Sequence, residues 1–207
     1  MRSSIKKSIA IIGEGETEWF YFDSLRIYHR FPFKIAPDFP RHSDIDHILK
    51  LAKRYLDEEY DYVICLIDMD RIKQVSAEWK KYQLYKNKER TRKKRKDKHI
   101  IFVETFPCME FWFLLHFIPN LSTKKYNSYE DILVELRKYM HGYEKTKKYF
   151  RQINLYPFLK ENGDENRAVE NAKKLCELNI SEFENKNSYS ELYRVIELLN
   201  ELKTMKS

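Results

Sequence analysis

The chain has 207 residues, a formal net charge of +7, 43% hydrophobic residues and only 4 glycines. This size and apolar content suit one domain with a packed core and argue against a low-complexity chain. No apolar run approaches the roughly 18 residues of a membrane span, and the N-terminal apolar stretch is too short for a secretory signal. The three cysteines, Cys65, Cys108 and Cys176, are far apart, which predicts reduced thiols in a cytoplasmic protein without a disulfide framework or a zinc cluster.

Strands and helices alternate through the first half of the chain. Ser8–Ile12 is apolar throughout, which predicts a strand that is buried on both faces. Thr17–His29 predicts a helix with Thr17 as its N-cap, and its core candidates are Phe20, Leu25 and Tyr28. The further predicted elements are a weak strand at Phe31–Ile35, a helix from Ser43 to Glu58, a strand at Tyr62–Ile67, a charged helix over Lys73–Arg90 and a strand at His99–Val103. This alternation favours a mostly parallel central sheet flanked by helices.

Helical patterns dominate the second half of the chain. We expect helices over residues 107–117, 129–140, 143–150, 165–178 and 190–202. Pro107 is expected in the first turn of the first of these helices, where proline is well tolerated. The sequence therefore predicts the α/β class, with an α/β core over residues 1–120 and a helical C-terminal part over residues 121–207 that packs on this core.

An acidic turn, Gly13-Glu14-Gly15-Glu16-Thr17-Glu18, follows the first predicted strand. Glycines flank Glu14, and glycine permits close backbone approach to a ligand. The turn lacks the Gly-Lys-Ser/Thr of a P-loop and the third glycine of a dinucleotide fingerprint. Glu14 is therefore a candidate functional carboxylate. Glu18 is a candidate metal ligand, and the alternative for Glu16 and Glu18 is that they favour the helix dipole.

A second acidic stretch, Asp68-Met69-Asp70, follows the strand predicted at Tyr62–Ile67. If the chain is still extended there, both carboxylates project to the same side, at the end of the strand where α/β sheets bind ligands. Crowded carboxylates need a cation or a proton, and oxygen ligands suit Mg²⁺ or Mn²⁺. The alternatives are an aspartyl nucleophile with an acid/base partner, a sugar-nucleotide metal clamp, or a helix cap at Asp70 with Asp68 paired to Arg71.

Two polar side chains interrupt an otherwise apolar helical stretch from Phe106 to Phe117. Glu110 shares a helix face with apolar residues, so it needs either a buried lysine or arginine or a place in the metal cluster. His116 is a candidate proton relay, or else a satisfied core residue.

A basic stretch lies between the last predicted helix and strand of the first half. From Lys86 to Lys98, 9 of 13 residues are Lys or Arg. Such a run attracts phosphate backbones without reading sequence; the alternatives are a solvated loop and docking onto an acidic protein. The candidate nucleic-acid-binding residues are Arg92, Lys93, Lys94, Arg95 and Lys96.

Taken together, these stretches resemble the RloB-like family, whose core is similar to the Toprim domain of primases, topoisomerases and overcoming-lysogenisation-type nucleases. The resemblance implies a Toprim-like fold in which Glu14 is a general acid/base or metal ligand and Asp68 and Asp70 bind Mg²⁺ (or Mn²⁺). It also implies that Glu110 and Lys145 surround the same pocket, with Lys145 neutralising the scissile phosphate. The matching stretches are Glu14-Gly15-Glu16-Thr17-Glu18, Asp68-Met69-Asp70, Pro107-Cys108-Met109-Glu110-Phe111-Trp112, Leu115-His116-Phe117 and Tyr143-Glu144-Lys145.

The resemblance implies a metal-dependent nuclease that acts on DNA or RNA as the toxic effector of a bacterial anti-phage system of the abortive-infection type. A separate AAA-type ATPase is the implied partner, and no membrane partner is expected. The rival interpretations are a catalytically silent nucleic-acid-binding or scaffolding subunit, and a nucleotidyl- or glycosyl-transferase that uses the Asp-Met-Asp clamp. The sequence leaves open the choice between DNA and RNA, the number of metal ions, and whether the chain forms a homo-oligomer.

Overall fold

The computed structural model describes residues 7–36, 44–91, 99–119, 124–181 and 188–204. These residues form an α/β fold around a five-stranded sheet with the strand order β2-β1-β3-β4-β5. The first four strands are parallel, and the short β5 pairs antiparallel with β4 at one edge. The strands are β1 (Ile9–Ile12), β2 (Lys34–Ala36), β3 (Tyr62–Asp68), β4 (His99–Phe106) and β5 (Tyr189–Ser190).

Ten helices surround this sheet within the described residues. The predicted α/β class with a mostly parallel sheet is therefore confirmed, whereas its likeness to the Toprim domain stays a prediction. None of the described helices combines the length and the apolar character needed to cross a membrane. The helices are α1 (Glu16–His29), α2 (Ile45–Asp57), α3 (Met69–Gln74), α4 (Ser76–Thr91), α5 (Glu110–Leu115), α6 (Tyr129–Leu136), α7 (Lys147–Ile153), α8 (Leu155–Asn162), α9 (Glu165–Ser181) and α10 (Tyr193–Thr204).

The register of the central strands decides which loops meet. All four residues of β1 are buried, as expected for a central parallel strand covered on both faces. Ile12 at the end of β1 pairs with Cys65 of β3, and Asp68 at the end of β3 pairs with Thr105 of β4. Because parallel strands all end on the same side of the sheet, the loops after β1, β3 and β4 lie next to one another.

The second half of the chain packs on the first through aromatic side chains. Helix α8 contacts α1, and α9 contacts α5. The backbone N–H of Tyr156 donates to the Ser24 hydroxyl at 2.9 Å, and the indole N–H of Trp112 donates to the Tyr21 hydroxyl at 2.9 Å. These contacts join helices from both halves into one core, and the proposed division at residue 120 stays a prediction.

Several local predictions in the first half were wrong. Thr17 is not the N-cap of α1, because Gly15 holds that position. The Gly15 N–H donates a hydrogen bond to Oε2 of Glu18 at 3.0 Å. Tyr28 is 51% exposed, because it lies on the outer side of α1. The charged helix predicted over Lys73–Arg90 is two helices, α3 and α4, since Val75 between them has an extended backbone. Ser43, the predicted start of α2, lies outside the described residues.

The second half also departs from the predicted helices. Pro107 follows a cis peptide bond, and α5 begins only at Glu110. Ser190 belongs to strand β5 rather than to the start of α10. Helix α8 was not predicted, because proline is usually a helix breaker and the helix contains Pro157. Pro157 lies in the first turn of the helix, where proline removes no helical hydrogen bond.

The aromatic core makes a testable contribution to stability. Phe113 is fully buried and packs against the Tyr21 ring. Phe113→Ala should lower the free energy of unfolding by about 3–5 kcal/mol, because it removes a ring and leaves a cavity. Leu84 is 68% exposed, so the control Leu84→Ala should change the free energy of unfolding by less than about 0.5 kcal/mol. Urea denaturation measures both, and similar values for the two variants would contradict this packing.

Candidate functional site

Carboxylates from three separate segments meet at the end of the sheet where β1, β3 and β4 terminate. We call this set the carboxylate cluster, and its members are Glu14, Glu18, Asp68, Asp70 and Glu110. The charges of Glu18, Glu14 and Glu110 all act on Asp68, and those of Lys145 and Glu110 act on Asp70. The structure therefore brings the predicted catalytic and metal-ligating residues together, with Lys145 among them.

Glu14 lies in the turn after β1 and is 7% exposed. Its Oε1 accepts a hydrogen bond from the Asp68 backbone N–H at 3.1 Å, and its Oε2 accepts one from Nε of Arg71 at 3.0 Å. Burial raises the pKa of Glu14 to about 7, with repulsion from Glu18 acting in the same direction and Arg71 opposing both. A carboxyl group with this pKa can hold or release a proton near neutral pH.

Glu18 lies in the first turn of α1 and folds back over the glycine turn. Its Oε2 accepts the Gly15 N–H at 3.0 Å, and a Cβ added at Gly13 would come within 2.8 Å of the Glu18 Cβ. The glycine at position 13 therefore makes room for the glutamate. Burial raises the pKa of Glu18, as does repulsion from Glu110, while Lys145 lowers it.

The Asp-Met-Asp stretch bends where strand β3 passes into helix α3. Asp68 ends β3, and Asp70 already lies in the first turn of α3. The expectation of two carboxylates on one side of an extended chain is therefore wrong. The alternative ion pair between Asp68 and Arg71 is also not formed, because Arg71 pairs with Glu14 and Glu78 instead.

The two aspartates carry unfavourable charge in this position. Loss of hydration raises the pKa of Asp68 well above its ordinary value, and Glu18 and Glu14 raise it further. Burial also raises the pKa of Asp70, although its Oδ1 accepts the backbone N–H of Arg71 at 2.6 Å. Both carboxyl groups would thus gain from an additional positive charge nearby.

Glu110 begins helix α5 and is fully buried. Its Oε1 accepts hydrogen bonds from the Thr17 hydroxyl at 3.2 Å and the Tyr143 hydroxyl at 3.0 Å, and it lies 3.3 Å from Nζ of Lys145. Its Oε2 meets no donor at hydrogen-bonding distance within the described residues. The ion pair with a lysine that the sequence offered as one alternative is therefore present, although Lys145 is 41% exposed and only Glu110 is buried. The second oxygen of Glu110 is left without a donor among the described residues.

Lys145 reaches into the cluster from the segment before α7. Burial alone would lower its pKa, but the neighbouring carboxylates, led by Glu110 and followed by Glu18 and Asp68, raise it above its ordinary value. Lys145 is therefore a permanent cation at this site. Its ammonium also lies 5.6 Å from the centre of the Tyr129 ring, within the range of a cation–π contact.

The donor chemistry of the cluster fits a hard divalent cation, but the coordination geometry is not formed. In the described parts of the chain, no three His, Cys, Asp or Glu side chains are placed to hold a metal ion. Arg71 and Lys145 form ion pairs with the cluster, through Glu14 and Glu110. Several carboxyl groups have raised pKa values, and the second Glu110 oxygen has no donor in the described part of the chain. Carboxylate oxygens are the ligands that Mg²⁺ and Mn²⁺ prefer.

Of the remaining predicted site residues, His116 lies away from the carboxylate cluster. His116 is fully buried, with Nδ1 2.9 Å from the Trp112 carbonyl oxygen, and burial lowers its pKa to about 4. The charges that act on it are those of Glu165 and Lys160, and it lines a separate cavity of about 490 Å³ next to α9. The candidate nucleic-acid-binding residues 92–96 fall outside the described residues, so that prediction stays open.

Three residues of the site were missed by sequence reasoning. Arg71 bridges Glu14 and Glu78, and Thr17 and Tyr143 hold Glu110. Arg71 directly follows the Asp-Met-Asp stretch, and Thr17 and Tyr143 lie in stretches that resemble the family, but neither signal indicates the partner of these side chains.

The chain matches one known family over most of its length. The model of the RloB-like protein family matches residues 9–199. The chain belongs to the RloB-like family. The match spans the sheet and includes every member of the carboxylate cluster together with Lys145. No curated protein and no solved structure matches the chain significantly.

The raised pKa of Glu14 gives this RloB-like protein a predictable response to pH. The pKa of the Glu14 carboxyl group is about 7 in the folded protein against an ordinary 4.5. The protonated group therefore stabilises the folded state, and this contribution is fully present below pH 4.5. This contribution is lost as the pH rises through 7, and its size is roughly 3 kcal/mol. Glu14→Gln removes the titrating proton while keeping a hydrogen-bonding amide.

The measurement is the free energy of unfolding of both proteins between pH 4.5 and 8 in EDTA. Stability should fall more steeply with pH in the wild type than in Glu14→Gln, and the difference should develop mainly above pH 4.5. Glu16→Gln is the control, because Glu16 lies in the same turn but forms a partly exposed ion pair with Lys147. Parallel curves for wild type and Glu14→Gln would show that Glu14 titrates normally.

Proposed function

We propose that this RloB-like protein is a Toprim-like nuclease that depends on Mg²⁺ or Mn²⁺ and hydrolyses phosphodiester bonds in DNA or RNA. One observation carries the proposal: four carboxylates, those of Glu18, Asp68, Asp70 and Glu110, interact with the charge of Lys145, and Glu14 acts on Asp68 beside them. A purely structural ion pair would need one of these carboxylates, not four. The net charge of +7 further supports a phosphate-rich substrate.

The cluster offers distinct roles to its members. Asp68, Asp70, Glu18 and Glu110, together with Glu14, are the residues that would hold the cation. The ion, when bound, would activate water and stabilise charge on the attacked phosphate. Glu14 is suited to accept or donate a proton, because its pKa is raised to about 7. Lys145 is positioned to neutralise the scissile phosphate, and Thr17 and Tyr143 orient Glu110.

The biological setting is proposed from family membership. We infer that the nuclease is the toxic effector of a cytoplasmic anti-phage system of the abortive-infection type and that a separate AAA-type ATPase holds it in check. The sequence carries no P-loop motif, which is consistent with an ATPase on another chain. The rival function is a catalytically silent nucleic-acid-binding or scaffolding subunit, and the paired state of Glu14 with Arg71 is the observation that favours it.

Cleavage assays separate the two functions. Glu14→Gln and Asp68→Asn should each reduce Mg²⁺-dependent cleavage of plasmid DNA or total RNA by at least about 100-fold, because each removes a charge that acts directly on the reaction. Binding of the nucleic acid should stay within a few-fold of the wild type. Glu16→Gln is the control and should retain full activity.

The assay includes the ATPase encoded beside the protein, if one is present, since the effector is expected to be held inactive. Cell toxicity on induced expression is the second measurement. A wild type that binds nucleic acid but neither cleaves it nor harms cells under these conditions would favour the silent subunit.

Metal binding can be tested without any reaction. Arg71 donates to Glu14 and sits on the cluster as a cation of the protein itself. Arg71→Gln should therefore tighten Mn²⁺ binding roughly tenfold, on the order of 1.4 kcal/mol. Electron paramagnetic resonance of free Mn²⁺ measures the affinity, and Asp68→Asn should weaken it.

The matched control for this experiment is Arg26→Gln. Arg26, like Arg71, is a partly exposed arginine in an ion pair, but its partner is Asp23 and it lies in the last turn of α1. This variant should leave the Mn²⁺ affinity unchanged. Equal affinities for the wild type, Arg71→Gln and Asp68→Asn would argue against a metal site in the carboxylate cluster.

A further inference from the structure

A phosphate backbone has to approach a site that is itself rich in negative charge. The carboxylate cluster has five acidic members, and among the described residues Arg71 and Lys145 form ion pairs with it. Repulsion between these carboxylates and incoming phosphates must be offset by basic side chains nearby. The described residues next to Lys145 supply such side chains on helix α7.

Helix α7 is anchored to the cluster at its beginning. Lys145 contacts Glu110 at 3.3 Å, and the Thr146 hydroxyl caps the helix by accepting the Tyr149 N–H at 3.2 Å. Lys147 then pairs with Glu16 of the acidic turn at 3.0 Å. The contact of Lys145 with Glu110 therefore places the start of α7 beside the carboxylates, and the partly exposed pair of Lys147 with Glu16 lies next to it.

The two sides of α7 differ in character. Phe150 is 2% exposed and contacts the Phe20 ring, with a centroid distance of 5.3 Å, so this side packs on α1. Lys148 and Arg151 are exposed, and neither has an ion-pair partner among the described residues. They are three positions apart, which places them on one face of the helix. Helix α7 contains three cations and no acidic residue.

We propose that Lys148 and Arg151 form a surface that holds the phosphate backbone of the nucleic acid beside the carboxylate cluster. The inference rests on the proposed function and names a binding surface for it. Because lysine and arginine contact phosphates through charge, which carries no sequence information, binding to this surface should be independent of sequence.

Salt dependence of binding tests this surface directly. The double variant Lys148→Gln/Arg151→Gln removes two cations, so the slope of log affinity against log salt concentration should become shallower by about 1.4 for a single strand or 1.8 for a duplex. Between 50 and 200 mM salt, the wild type should therefore lose roughly tenfold more affinity than the variant. Fluorescence anisotropy of a labelled oligonucleotide in EDTA gives both slopes without cleavage.

The matched control is Lys50→Gln/Lys53→Gln on helix α2. These two lysines are also exposed, three positions apart and without an ion-pair partner in the described parts of the chain. Helix α2 leads away from the cluster towards the start of β3. The control should keep the wild-type slope, and all variants should keep the wild-type melting temperature because the altered side chains are exposed.

The possible outcomes separate a failure of the α7 binding surface from a failure of the proposed nuclease activity. A wild-type slope in the α7 variant, or equal slopes in both double variants, would overturn the α7 surface, and so would a wild type that binds neither single-stranded nor duplex oligonucleotide. A shallower slope in the α7 variant alone supports the surface even if the wild type never cleaves. In that case the nuclease proposal fails and the binding surface stands.

Discussion

Repulsion among buried carboxylates is the constraint on which the rest of this structure depends. Five acidic side chains share a region from which water is partly excluded, and the pKa of Glu14, Glu18, Asp68 and Asp70 is raised as a result. Two cations of the protein, Arg71 and Lys145, offset part of this repulsion. Apolar side chains of similar volume are often as stabilising as buried charges or more so, so stability alone does not account for this cluster.

The architecture makes the crowding unavoidable. β1 lies between β2 and β3, and β3 pairs with β4, so the segments that follow these strands leave the sheet on the same side. The acidic turn then enters α1 and the Asp-Met-Asp stretch enters α3. Glu110 is added from α5, just beyond the end of β4. The strand order and register therefore bring acidic residues from distant parts of the sequence together. Hydrogen bonds from neighbouring side chains then orient the carboxylates.

Sequence reasoning recovered the parallel sheet and the cluster but not the local geometry. Apolar runs and the acidic residues behind them identify β1, β3 and the carboxylates, because both signals are local. The bend at Met69, the role of Thr17 and the short β5 depend on contacts with residues far along the chain. Thr17 could not be recognised as a partner of Glu110, since 93 positions separate them. The pairing of Arg71 with Glu14 rather than Asp68 was hidden for the same reason.

Glu110 also links the two halves of the molecule. Its Oε1 accepts hydrogen bonds from the hydroxyl groups of Thr17 in the first half and Tyr143 in the second, and it also contacts the Lys145 ammonium. A substitution that removes this oxygen would therefore take a partner from the acidic turn and from the segment before α7 at the same time. The acidic turn, helix α5 and that segment are thus held together through one shared acceptor atom.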